Sequence, residues 1–228
     1  MDKLGAIRGG IFDMDGTLIN SLIVWEDIWR GIGRIFLSDE SFRPSYEVDK
    51  AVRTLALSDA MALVNRTYSL TENSEDVTLA VSDIIRDFYE NKLEPKAGAS
   101  EFLEYLSSNG VKLCIASASA PDLARVALRR CQLEKYFLGI VTCVDIGKGK
   151  EHPDVFLAAK DFLGTELEDT FVFEDSFVAL ESAKRAGFKT VGVYDRCNFD
   201  HDRLERSSNY FLGEGTDFKS LIGKFDFV

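Results

Sequence analysis

Ile11-Phe12-Asp13-Met14-Asp15-Gly16-Thr17 is the stretch on which the reading of the fold turns. It closes a short apolar burst, Ala6 to Asp13, that reads as a buried β-strand running into a turn. Side chains two apart on a strand project to the same side, so Asp13 and Asp15 are expected together at the strand tip. In parallel α/β sheets the carboxyl ends of strands are where ligands bind. One carboxylate there can serve as nucleophile while its neighbour handles protons, although Asp-Gly-Thr is also good turn chemistry without further role.

Outward from this stretch the same plan repeats. Val111 to Ser117, Gly139 to Thr142, Thr170 to Glu174 and Lys189 to Val193 are β-rich, and helical patterns at Ala120 to Cys131, Asp154 to Leu163 and Phe177 to Ala186 separate most of them. Strands alternating with helices predict an α/β fold, a parallel sheet covered by helices on both faces. Residues 18–94 break the alternation. Leu18, Leu22, Trp25, Trp29 and Ile32 recur at helical spacing, as do Val48, Val52, Leu55 and Leu63, and then Leu79, Ile84, Phe88 and Leu93. This interval reads as an insert of three helical stretches, with core domain 1–17 and 95–228 on either side. The insert holds eight Lys and Arg against fourteen Asp and Glu, more than half of the chain's excess negative charge.

Three further places can carry chemistry, two of them at strand tips. Glu174 and Asp175 are adjacent acids that repel one another unless a cation or proton relieves them. A hard ion such as Mg²⁺, which takes oxygen ligands, suits this pair together with Asp13 and Asp15; helix capping by Asp175 or Ser176 is the plainer alternative. Ser117 ends a strand just before a helix opened by Pro121, and a hydroxyl beside free backbone N–H groups there suits a phosphate, or a simple cap, for which Ser119 is equally placed. Lys150 precedes a helix opened by Pro153 and Asp154; a single cation there can neutralise a phosphoryl group, or be a solvated loop lysine.

Composition narrows the classes. The chain has 228 residues, 38 Asp and Glu against 27 Lys and Arg, and a formal net charge of -11. So acidic a chain is a poor partner for nucleic acid or for an anionic membrane surface. No segment approaches the roughly 20 consecutive apolar residues of a membrane span. The four cysteines, at 114, 131, 143 and 197, form no C-x-x-C pair, and His152 and His201 are the only imidazoles, so any metal is expected on oxygen ligands. Unpaired thiols and a start, Met1 to Gly10, without the apolar core of a signal peptide lead to a cytoplasmic expectation.

Taken in order along the chain, these sites resemble the haloacid dehalogenase-like hydrolase superfamily. The residues that carry the resemblance are D-x-D-G-T at Asp13 to Thr17, the strand-terminal Ser117, Lys150 before Pro153 and Asp154, Glu174-Asp175-Ser176, and the stretch Ala183 to Gly187. The resemblance implies a Rossmann-like core with residues 18–94 as an inserted α-helical cap domain, similar to sugar-phosphate phosphatases and β-phosphoglucomutase. It implies that Asp13 attacks phosphorus to give an aspartyl-phosphate and that Asp15 protonates the leaving oxygen and later activates water. Ser117, the Ala118 N–H and Lys150 then hold phosphoryl oxygens, and Mg²⁺ is held by Asp13, Asp15 through its backbone carbonyl, Glu174 and Asp175. The implied partner is a small phosphorylated metabolite, and the chain is expected to act as a monomer.

The pattern departs from the family in places. Asn20 stands where related phosphatases often carry Asp, and Lys148 competes with Lys150, whose spacing to Pro153 fits better. Mutases of this subgroup use a His on the first cap helix and an Arg on the next cap segment to hold a second phosphate. Here Trp25 stands at the first position, and aligning 52–61 puts Leu57 at the second with Arg53 the nearest cation, which favours hydrolysis over a phosphomutase. Trp25 and Trp29 either receive a substrate ring or pack the cap's own core. A receiver-like signalling domain also combines acids, a hydroxyl and a Lys, but it places its phosphoacceptor mid-chain.

Overall fold

The computed structural model describes residues 3–53, 55 and 57–228; Thr54 and Ala56, within the aligned stretch 52–61, lie outside them. In chain order the elements are β1 (Gly5–Ile7), β2 (Gly9–Phe12), α1 (Val24–Ile32), α2 (Tyr46–Val52), α3 (Leu57–Tyr68), α4 (Ser74–Asn91), α5 (Ala99–Ser108), β3 (Lys112–Ser117), α6 (Pro121–Arg130), β4 (Gly139–Thr142), α7 (Cys143–Ile146), α8 (Asp154–Leu163), β5 (Thr170–Glu174), α9 (Phe177–Arg185), β6 (Lys189–Val193), α10 (His201–Ser207), β7 (Tyr210–Leu212) and β8 (Phe225–Phe227). The chain divides into two compact units, one from residues 1–22 and 93–228, the other Ile23–Lys92.

In the first unit six parallel strands lie in the order β4-β3-β2-β5-β6-β7. This is the α/β sheet that the alternation predicts. From β2 the chain proceeds to β3 and β4 on one side, then returns to β5 and continues through β6 and β7 on the other. Strand order therefore reverses between β2 and β5, the crevice where open α/β sheets bind ligands. Phe12 lies in register with Ile115 and Phe173, so the chain leaves β2 directly beside the end of β5.

Alternation along the strands sorts the core onto two faces. Ile11, Cys114, Ala116 and Val172 pack with Val155, Phe156, Ala159 and Leu163 of α8 and with Ala179 and Ala183 of α9. The opposite face is aromatic: Phe12 stacks on Phe173 with ring centres 4.1 Å apart and planes within 4°, and Phe102 of α5 meets Phe12, Phe173, Phe218 and Phe225 at 5.7 to 6.3 Å. Phe102 is fully buried. Phe102→Ala is therefore expected to cost about 3–5 kcal/mol, read as a lowered midpoint in urea denaturation.

The structure corrects several expectations drawn from periodicity. The apolar burst Ala6 to Asp13 is two strands rather than one. β1 pairs with the C-terminal β8, whereas β2 enters the main sheet, and the exposed Arg8 between them pairs with Asp169 at 3.4 Å. α5, β7 and β8 were not anticipated; β7 is only three residues long and is announced by Asn209, whose Oδ1 accepts from the Thr190 N–H at 2.9 Å.

Among the described residues the second unit contains four α-helices where three stretches are expected, α2 and α3 both falling in the middle one. Leu18 and Leu22 precede α1 and are not helical. Leu55 and Leu79 are exposed, Phe88 and Leu93 are buried as their spacing suggests, and α4 also buries Val77, Val81 and Tyr89. α1 runs into a π-helical turn, Gly33–Leu37, and at Gly33 a Cβ would lie 2.0 Å from the Asp39 carbonyl oxygen, so no larger residue fits. Trp29 is buried and donates its Nε1–H to Asp49 Oδ1 at 3.1 Å. Asp49 also takes Arg53 in a two-pronged pair, and the Arg53 guanidinium lies 5.3 Å from the Trp25 ring centre. Trp29, Asp49, Arg53 and Trp25 thus form one network within the unit. Among the described residues, no helix is long and apolar enough to cross a membrane.

Candidate active site

β2 ends at Phe12, and the Asp13 N–H continues the ladder by donating to the Phe173 carbonyl at 2.9 Å. Beyond it the chain turns, with Gly16 at φ 82° and Asp15 bridged to Ile19. A Cβ on Gly16 would lie 2.2 Å from Asp175 Oδ2. Glycine is needed here both for the backbone conformation and for the close approach of that carboxylate.

Both Asp13 and Asp15 lie just past the last residue of β2, and each has its own partner. Asp13 is buried and accepts a hydrogen bond on Oδ1 from Lys150 Nζ. Asp15 is half-buried, and its Oδ2 accepts from the Ser119 hydroxyl at 2.7 Å. Ser117, fully buried at the end of β3, accepts the Ser119 N–H at 3.0 Å, and Ala118 lies between them. Ser119, which the sequence offers as a cap candidate before the Pro121 helix, is therefore a partner of Asp15, a role its sequence position does not announce.

β5 delivers Glu174 and Asp175, both buried. Glu174 Oε2 accepts from Lys150 Nζ at 2.8 Å and its Oε1 from the Ser176 N–H at 3.1 Å. Asp175 Oδ1 accepts from the Thr17 hydroxyl at 2.9 Å. Ser176, whose hydroxyl accepts from the Ala179 N–H, caps α9 instead of joining the acids. Lys150 is held from below, where its carbonyl accepts the Ser182 hydroxyl at 2.6 Å. Lys148 lies elsewhere: half-exposed, it pairs with Asp154 at 2.5 Å.

Asp13, Glu174 and Asp175 each bring a carboxylate oxygen to within 4.8 Å of the others. Asp15's carboxylate is not in this group. Three buried acids face one largely buried ammonium, and the imbalance raises the carboxyls of Asp13 and Asp175. Burial, then Glu174, pushes the Asp13 carboxyl up to about 6 against the opposing pull of Lys150. Burial, then Asp13, Glu174 and Asp195, raises Asp175 well above the usual carboxylate range. Burial works to lower Lys150, yet Asp13 and Glu174 outweigh it and hold the ammonium charged. A clustered set of oxygen donors short of positive charge fits a hard divalent cation.

Sequence reasoning missed the residues behind Asp175. Asn198, Asp195 and Lys96 stand there, the last two as a buried pair at 2.8 Å. Their signal was only that Asp195 follows the tip of β6, beside β5. The four cysteines are free, and burial pushes the Cys114 thiol up to about 12 and that of Cys131 to about 11.

Comparison with known proteins gives a consistent picture. The family model "haloacid dehalogenase-like hydrolase" matches residues 7–187. A phosphorylated carbohydrates phosphatase of Thermotoga maritima is 28% identical over 198 residues, 86% of this chain and 89% of that protein. The pyrophosphatase PpaX of Bacillus pumilus is 25% identical over 221 residues, 93% of this chain and 95% of its own. Among solved structures, a Thermotoga maritima protein provisionally assigned as a β-phosphoglucomutase superposes with TM-score 0.76 at 24% identity, covering 90% of this chain and 94% of that one, which speaks for the fold.

Proposed function

The chain belongs to the haloacid dehalogenase-like hydrolase family, and from that premise we propose that it is a Mg²⁺-dependent phosphatase of small phosphate monoesters, sugar phosphates foremost, working through an aspartyl-phosphate. The observation that carries this reading is the buried trio Asp13, Glu174 and Asp175 spanned by Lys150 at the strand-order reversal. A signalling receiver does not suit a hydrolase family match or a site on the first strand of the main sheet.

In this reading an Asp13 carboxylate oxygen forms a bond to phosphorus as the ester P–O bond breaks. Asp15, held by Ser119, gives its proton to the departing oxygen. Asp15 then takes a proton from water, whose oxygen attacks the same phosphorus, releasing phosphate and restoring Asp13. Lys150 meets the phosphoryl oxygens as charge builds on them, with Ser117 and the Ala118 N–H on the β3 side. Asp13, the Asp15 carbonyl, Glu174 and Asp175 would hold Mg²⁺, which offsets the repulsion between the anionic nucleophile and the phosphate.

The domain assignment is a core domain of 1–17 and 95–228 and a cap of 18–94, supported by the compact helical unit Ile23–Lys92. Hydrolysis is preferred to phosphomutase activity because Arg53, the nearest cation to the second-phosphate position, is already neutralised by Asp49. Free thiols support a cytoplasmic protein, taken to act as a monomer. The test is a panel of sugar phosphates, other monoesters and pyrophosphate with Mg²⁺ or EDTA, scoring phosphate release and isomer formation. Mg²⁺-dependent release from monoesters is expected; isomer formation outrunning release would transfer the chain to the mutases, and preference for pyrophosphate would replace the substrate class.

A further inference from the structure

The loop after β6 makes contacts to the site that the reaction scheme above does not use. Asn198 donates from Nδ2 to Asp175 twice, to Oδ2 at 2.7 Å and to the backbone carbonyl at 2.9 Å. Its amide orientation is forced, because Asn198 Oδ1 accepts the Phe199 N–H at 2.8 Å. Turning the amide over would face N–H against N–H and oxygen against two acceptors.

The loop itself is anchored on the far side. Lys96 Nζ reaches Asp195 Oδ2 and the Tyr194 carbonyl, both at 2.8 Å. Asp195 Oδ1 accepts the Cys197 N–H at 2.8 Å, and the Asp195 carbonyl accepts the Asn198 N–H at 3.0 Å. His201 Nε2 lies 2.8 Å from that same carbonyl. Asn198 thus stands on a rigid support while its side chain meets the carboxylate.

We infer that Asn198 is a positioning residue: with Thr17 on the other oxygen, it fixes the rotation of the Asp175 carboxylate and thereby sets the affinity of the site for a divalent cation. Among the described residues, each Asp175 oxygen has one hydrogen-bond donor, Thr17 on Oδ1 and Asn198 on Oδ2. A carboxylate oxygen accepts more than one bond, so both keep capacity for an ion. Outer partners of this kind orient a ligand before the metal arrives, and their loss typically costs about 10–100-fold in metal affinity.

The inference rests on the proposed metal site, and the experiment separates the two. Mg²⁺ binding to the metal-stripped full chain is measured by titration calorimetry for wild type, Asn198→Ala, the similarly sized Asn198→Leu, and Asp175→Asn. Both Asn198 variants are expected to bind Mg²⁺ about 10–100-fold more weakly, with a matching rise in the Mg²⁺ concentration that half-saturates turnover. A purely structural role would lower the metal-free melting temperature and leave the Mg²⁺ dissociation constant unmoved, and that result would overturn the inference. Wild type that binds no Mg²⁺, or Asp175→Asn that binds as wild type does, would instead remove the metal site itself.

Discussion

Asp13→Asn is expected to cut phosphate release from a generic aryl phosphate by on the order of 10⁴-fold or more, the scale on which loss of a nucleophile acts. The fold should survive the change. Asparagine has the size of aspartate, its carbonyl can still accept from Lys150, and its backbone N–H keeps the bond to Phe173. The carboxamide cannot form the acyl phosphate. Stability should move the other way from activity. The Asp13 carboxyl is pushed up to about 6 from an ordinary 3.8, so its contribution to stability is complete below the lower value and disappears as pH rises through the higher one. Asparagine does not ionise. In EDTA at pH 7.5 the variant should melt no lower than wild type, and its relative advantage should shrink toward pH 4. Near-normal turnover in Asp13→Asn would remove Asp13 from the nucleophile's place.

Lys150→Met should damage both folding and catalysis. Lys150 is the only ammonium that bonds both Asp13 and Glu174 among the described residues, and its side chain is 11% exposed. Removing one partner of a buried ionic cluster costs about 3–5 kcal/mol, because the remaining charges lose their compensation. For a chain of this length that is a fall of roughly 6–20 °C in melting temperature, measured in EDTA at pH 7.5. The deficit should narrow as pH falls, since the orphaned acids then take up protons. Lys148→Met is the contrast: that lysine is 52% exposed in a pair with Asp154, and its loss should stay within about 0.5 kcal/mol. Equal losses at both positions would contradict the assignment of Lys150.

The parts of the molecule that were readable from sequence are those where local pattern and final environment agree. β3 to β6 announce themselves because each is a short β-rich run, with a helix start soon after β3 and β5, and a parallel sheet then has to gather their tips. Asp13, Glu174 and Asp175 converge for that reason. Lys150 is favoured over Lys148 in the sequence only by its spacing to Pro153, and its reach to two buried carboxylates separates them in the structure. Other features depend on tertiary contact alone. The break at Arg8 arises because β8, more than 200 residues away, offers β1 a partner. Asp15 meets Ser119 only because β3 lies beside β2, and Asn198 matters only because β6 lies beside β5. Exposed Leu79 shows the limit of periodicity on α4, where the buried stripe runs through Val77 and Val81 instead.

On this mechanism phosphate passes through a covalent bond to Asp13. Rapid acid quenching during turnover of a sugar phosphate, followed by peptide mass mapping, tests it most directly. One phosphoryl group is expected on the peptide containing Asp13, labile to hydroxylamine and absent from Asp13→Asn. A phosphoryl group on another residue, or full-rate turnover with Asp13 never modified, would contradict it.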